Sequence, residues 1–166
     1  MVIFLVGFMG AGKTSIAQLV ASEYGYHFID TDKEIEKNCG QTINELFASK
    51  GEEAFRILEA DTLRGLTFTT NTIVATGGGM PCYHNNMQWM NQNGTTIYIN
   101  QEVKELEKRL SSAIQKRPLL REIEKNDLFG YINGLLKVRE PYYKQAKFEI
   151  LSTLVSAQTV INTAIL

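Results

Sequence analysis

Short apolar runs alternate with longer amphipathic stretches along this chain. The runs at 2–6, 27–29, 72–76, 96–99 and 148–151 are rich in Val, Ile, Phe and Tyr and are predicted to be strands. Several are almost continuously apolar, as in a sheet buried on both faces. Between them the spacing turns helical. Ile16, Leu19, Val20 and Tyr24 fall on one face, with Gly25 as the stop. Thr42 and Glu45 have the spacing of a capping box and open a short helix through Ser49. Further helices are predicted at 51–66, 85–93, 102–110, 126–146 (with Pro141 as a point of kinking) and 157–166. Strand–helix alternation implies an α/β fold with a parallel sheet wrapped by helices, and ligands at the carboxyl ends of its strands.

Composition narrows the field. The chain has 166 residues, 44% of them hydrophobic, and a net charge of −1 from 17 basic and 18 acidic residues. This is the size of one domain, and no linker, repeat or low-complexity tract divides it. A neutral balance argues against nucleic acid or a membrane surface as partner. No apolar run is long enough to span a bilayer, and the first starts too close to Met1 to leave room for a charged leader. Cys39 and Cys82 are too few for a disulfide frame. A cytoplasmic protein is expected.

The first strand runs straight into Gly7-Phe8-Met9-Gly10-Ala11-Gly12-Lys13-Thr14, which fits G-x-x-x-x-G-K-[ST]. Its glycines let backbone N–H groups turn toward phosphate oxygens, and the following helix adds its positive end. Lys13 is placed to reach terminal phosphates and the Thr14 hydroxyl to ligate Mg²⁺. The second run ends in Asp30-Thr31-Asp32. Read as extended chain, residues two apart point the same way, so both carboxylates would stand beside the phosphate loop. The plainer alternative is a helix cap followed by a first-turn acid. The third run ends in Thr76-Gly77-Gly78-Gly79, where an ordinary ATPase often has an acid, so Asp30 is the candidate for the metal-linked carboxylate. Three glycines allow a ligand to approach the backbone closely.

Lys108, Arg109, Lys116, Arg117 and Arg121 form a stretch without an acid. Arg117-Pro118-Leu119-Leu120 lies between two helical patterns and suits a lid over a triphosphate, spanning about residues 111–123, with Arg117 offsetting charge on the transferred group. Lys108, Lys116 and Arg121 are read as solvated surface. Arg56 is four residues from Glu52, the spacing of a surface ion pair, and three from Glu59, which could hold it for an anion. Arg139 is ambiguous by itself. Phe47, Phe55, Trp89, Tyr142 and Tyr143 read as core, Cys82 as a small filler, and His84 as the start of a helix.

Taken in order, GFMGAGKT, FIDTD, ELFASKGEEAFRILE, ATGGG, KRPLL and KVREPYY resemble the shikimate kinase family over most of the chain. The resemblance implies a P-loop kinase fold with a five-stranded parallel sheet of order 2-3-1-4-5. It implies Mg²⁺-dependent transfer of the ATP γ-phosphoryl to the 3-hydroxyl of shikimate, within aromatic amino-acid synthesis. By position, Gly10, Ala11, Gly12, Lys13, Thr14 and Ser15 would hold ATP, with Arg109 near adenine and Arg117 in the lid. Thr14 and Asp30 would serve the metal. Asp32 would bind substrate hydroxyls and act as base. Arg56 and Arg139 would clamp the carboxylate, Gly77, Gly78 and Gly79 would line the ring, and Phe47 and Phe55 would form an apolar wall. A monomer is expected. The likeness fades after Tyr143, and the adenine loop near Ser152 and Thr153 carries no recognisable motif.

The chemistry of such a ligand agrees, because a carboxylate matches a forked guanidinium and a hydroxyl nucleophile needs a carboxylate beside it. The competing readings are three. Another small-molecule kinase of this fold, such as a gluconate kinase, would want the same groups. A GTPase switch would use Asp127-Leu128-Phe129-Gly130 as D-x-x-G, but that stretch follows no predicted strand, and N-K-x-D is missing. A non-catalytic sensor would require a fused DNA-binding segment.

Overall fold

The computed structural model describes residues 1–112 and 127–166. Five strands, β1 (Val2–Val6), β2 (His27–Asp30), β3 (Thr72–Ala75), β4 (Thr95–Asn100) and β5 (Phe148–Leu151), form one sheet in the order β2-β3-β1-β4-β5. All neighbours are parallel. The central strands are covered on both faces, and Ile3 to Val6 and Ile73 to Ala75 are buried throughout. At the edge, β5 alternates: Ile150 is buried, while Glu149 and Leu151 face outward. That is the pattern of a strand covered on one side. Each strand matches its predicted position to within one residue at either end. Thr76 falls outside β3 because both its amide and its hydroxyl donate to the Leu5 carbonyl, closing the strand against β1.

The helices are α1 (Lys13–Tyr24), α2 (Thr31–Cys39), α3 (Ile43–Gly65), α4 (Asn86–Asn93), α5 (Val103–Ser111), α6 (Leu128–Tyr143) and α7 (Ala157–Ile165). The predicted capping box of Thr42 and Glu45 is formed at the start of α3. The two helices expected around residue 50 are continuous except at Gly51, whose φ of 79° breaks the helical path. Gly25 ends α1 in the left-handed conformation, as expected. The predicted face of α1 needs correction, however. Ile16, Ala17 and Val20 are buried, while Leu19 and Tyr24 are exposed, and the Tyr24 hydroxyl donates to Gln158 on α7. The predicted 126–146 helix also ends earlier, at Tyr143. Beyond it Gln145 and Ala146 donate to carbonyls only three residues back, a tighter turn that ends the helix.

Register decides where chemistry can sit. Asp30 lies opposite Ala75, and Ala75 opposite Leu5. The loops leaving β1, β2 and β3 therefore emerge together at one rim.

Candidate active site

At that rim the phosphate loop is stabilised by its own lysine. Lys13 is buried, and its Nζ donates to the carbonyls of Gly7 and Phe8, each at 2.8 Å. The loop enters α1 through Gly12, whose φ of 91° lies in the left-handed region. Thr14 follows, and its hydroxyl donates to Asp30 Oδ2 at 2.8 Å.

The Asp30–Asp32 pair is not extended. β2 stops at Asp30 and α2 begins at Thr31, so the expectation of two carboxylates on one strand face fails. Asp30 caps α2, its Oδ1 accepting from the amides of Asp32 (3.1 Å) and Lys33 (3.3 Å). A carboxylate at Ncap satisfies helix amides that have no intrahelical partner. The cap and the site coexist: Oδ1 holds the helix while Oδ2 accepts from Thr14. Asp32, in the first turn, stands against the glycine loop. Thr31 between them is buried and accepts from the Gly77 amide at 2.9 Å.

The three glycines after β3 are each pressed against a different part of the site. A Cβ on Gly77 would come within 2.6 Å of Asp32 Oδ1, on Gly78 within 3.0 Å of the Met9 nitrogen, and on Gly79 within 2.3 Å of Arg56 Nη1. Side chains at these positions would fill the space the site needs.

Two adjoining cavities result. The first is polar and is lined by Gly10, Gly12, Lys13, Thr14, Ser15, Asp30, Asp32, Gly77, Gly78 and Arg109, among others. Arg109 is half-exposed, donates to the Gly10 carbonyl at 3.2 Å, and pairs with Glu105 at 2.9 Å. The second is more apolar, walled by Met9, Ile43, Phe47 and Phe55, with Arg56, Glu59, Gly79 and Arg139. Met9, Asp32, Gly77 and Gly78 border both cavities. Ala11 is buried in the loop and touches neither. Arg117 and the lid about it, with Lys116 and Arg121, lie at positions outside the described residues, apart from the first residues of the lid, Ser111 and Ser112. Lys108 is exposed, as expected for a solvated side chain.

Arg56 departs most from its plain reading. It is not a surface residue: it is 4% exposed. Its Nη2 meets Glu52 and its Nη1 meets Glu59, both at 2.7 Å. Phe47, Phe55 and Tyr83 surround the guanidinium, with the Tyr83 ring centre 4.5 Å from Cζ. Burial opposes the charge of Arg56, but Glu59 and Glu52 outweigh it and raise the pKa. For Glu59 burial is the larger effect and pushes the carboxyl up to about 7, against the pull of Arg56. Arg139 is also buried, over the Phe8 ring. An anion entering this pocket would meet two guanidiniums in a water-poor setting, where charge-assisted bonds are strongest.

Several neighbours gave no sign of a site role in the sequence. Thr31, Met9 and Ile43 line or brace the site, and Tyr83 covers Arg56. Tyr143 is buried and bonds to Gly78; its spacing of four from Arg139 was the available sign. Tyr142 is exposed, contrary to its reading as core. Trp89 packs edge-on against Phe4 as core. Cys82 packs against the same core, and burial raises its thiol to about 11. His84 adopts a φ of 49° in the turn before α4. The D-x-x-G stretch begins at the Ncap of α6, away from any strand end.

Residues 9–166 match the family model described as Shikimate kinase. The chain belongs to the shikimate kinase family. A shikimate kinase of Bacteroides fragilis is 37% identical over 163 residues, covering 98% of this chain and 91% of that one. The structure of the shikimate kinase from Acinetobacter baumannii in complex with shikimate superposes with a TM-score of 0.87 at 33% identity, covering 99% of this chain and 90% of that one. A gluconokinase from Sinorhizobium meliloti reaches a TM-score of 0.56 at 13% identity, covering 98% of this chain and 87% of that one, which is a likeness of fold alone. Membership in the shikimate kinase family makes the chain an ATP-dependent kinase with the P-loop fold its sheet order displays.

Proposed function

We propose that this chain transfers the γ-phosphoryl of ATP to the 3-hydroxyl of shikimate, giving shikimate 3-phosphate and ADP. One observation carries the reading: Asp32 borders both the polar cavity at the phosphate loop and the pocket that holds Arg56 and Arg139. A triphosphate and a hydroxy acid can therefore meet beside one carboxylate.

In this reading the loop amides from Gly10 to Ser15 and the Lys13 ammonium hold the phosphates. Arg109 lies near the adenine. Arg56 and Arg139 bind the substrate carboxylate, Phe47 and Phe55 exclude water from it, and the glycine loop follows the ring. Asp32 orients the 3-hydroxyl and takes its proton as the oxygen attacks. Glu59 keeps the Arg56 fork in one pose.

Thr14 and Asp30 suit Mg²⁺. Their oxygens adjoin on the wall of the polar cavity, and no cluster of three or more His, Cys, Asp or Glu among the described residues forms a protein cage. A Mg²⁺ ion that comes with the nucleotide keeps several waters and needs only such a partial set. When bound it offsets charge on the phosphates. Among the described residues no helix is long and apolar enough to cross a membrane; we place the enzyme in the cytoplasm, acting as a monomer on small molecules.

A coupled assay of ADP release tests the reading. ATP turnover should require shikimate and not respond to gluconate. Turnover with gluconate, or GTP preferred over ATP, would overturn it.

A further inference from the structure

Tyr143 lines neither cavity, yet it touches the wall between them. It is completely buried, and its phenol donates a 2.6 Å hydrogen bond to the Gly78 carbonyl. It lies one helical turn after Arg139, on the same face of α6. Its ring packs on Tyr98 of β4, with centroids 5.3 Å apart, so the phenol is held from the sheet as well as the helix. Burial raises its pKa, with Arg139 opposing the rise, so the phenol stays protonated and remains a donor.

Gly78 accepts that bond. It borders both cavities and lies tight against the phosphate loop, where a Cβ would sit 3.0 Å from the Met9 nitrogen. Gly77 and Gly79 are pressed against Asp32 and Arg56 in the same way. Moving the Gly78 peptide would therefore move the seat of the attacking hydroxyl relative to the phosphates. Reacting atoms tolerate little such error: a misplacement of about 1 Å can cost on the order of a hundredfold in rate.

We propose that Tyr143 is a positioning residue for phosphoryl transfer, pinning through Gly78 the wall that sets the substrate hydroxyl against the terminal phosphate. The inference rests on the function proposed above. Because Arg139 is on the same helix face, the pin also ties the carboxylate clamp to the glycine loop.

The test is Tyr143→Phe, with Tyr98→Phe as control, since the latter keeps the packed ring and removes a hydroxyl that bonds to Asn100 and not to Gly78. Tyr143→Phe should lower kcat by about tenfold or more while the KM for ATP stays within about twofold. Tyr98→Phe should leave both constants close to those of the wild type. A residue that only stabilises the fold would lower the melting temperature and spare kcat, and that result for Tyr143→Phe overturns the proposal. If the wild type turns over but not with shikimate, the functional reading falls first and this proposal with it. If Tyr143→Phe does not fold, the wild type answers by NMR. The Tyr143 phenol proton should exchange slowly, and the Gly78 amide should shift when shikimate is added. Fast exchange of that proton, or an unmoved Gly78, also overturns the pin.

Discussion

Asp32 and Arg56 show how little of a residue's chemistry lies in its type. Asp32 sits in the first turn of α2, close enough to Gly77 that a methyl there would collide with it. Replacing it by Asn keeps the shape and removes the proton acceptor. Asp32→Asn should lower kcat by about a hundredfold or more, within the range for a lost general base, and leave ATP affinity near normal. Isothermal titration with ATP beside steady-state turnover would check both halves; unchanged turnover takes Asp32 out of the base role. Arg56 and Arg139 are buried cations, and their truncation should act on the other substrate. Arg56→Ala and Arg139→Ala should each raise the KM for shikimate by about tenfold or more, with the KM for ATP little changed. Arg56→Ala also strands Glu59 without its partner, which costs about 3 kcal/mol of stability, so kinetics belong well below its melting temperature. A loss confined to ATP binding would refute the clamp.

Elements place these residues, and the loops leaving β1, β2 and β3 do most of it. Gly79 shows the tolerance. A Cβ there would lie 2.3 Å from Arg56 Nη1 and 2.7 Å from its Cζ. Arg56 has little freedom to retreat, because Glu52 and Glu59 hold it from two sides. Gly79→Ala should therefore raise the KM for shikimate about tenfold while ATP binding is spared, since the phosphate loop is not touched. Equal kinetics for the variant and the wild type would mean that Arg56 does not hold the substrate in this pose. The strands, the capping box at Thr42 and the phosphate loop were all legible in the sequence, because each is a local pattern with a local cause. What was not legible depends on partners distant in sequence. The i, i+2 rule placed Asp30 and Asp32 on one face only while the chain stayed extended, and the cap at Asp30 ended the strand first. The apolar spacing of Leu19 and Tyr24 on α1 did not show which residues the sheet would cover. Arg56 looked like half of a surface pair because its spacing from Glu52 does not show that Phe47 and Tyr83 fold over it. Tyr143 read only as core, since its partner Gly78 lies on another loop.

The whole molecule stores an electrostatic cost in this site, and pH should expose it. Arg56 and Arg139 are buried near Asp32 and Glu59, so the pocket is lined by as many acids as cations before any anionic substrate arrives. Burial raises the Glu59 carboxyl from 4.5 to about 7, while Arg56 pulls it down by less. A raised acid pKa means that the folded state binds the proton more tightly than the unfolded chain. Between about pH 4.5 and 7 the folded state then carries more protons, so this group's contribution to stability falls as pH rises through that window. Below the window it is fully present, and above it the loss is complete. Glu36 runs the opposite way: the hydrogen bond from Lys33 lowers its pKa, so its contribution is lost as pH falls. A raw stability curve mixes the two, and comparison with Glu59→Gln separates them, because Gln cannot titrate. The variant should be less stable than the wild type at pH 5 and recover relative to it by pH 8. Melting temperatures of both proteins across that range provide the check. A gap that stays constant or widens with pH would show that Glu59 is ionised throughout, with Arg56 rather than burial setting its charge.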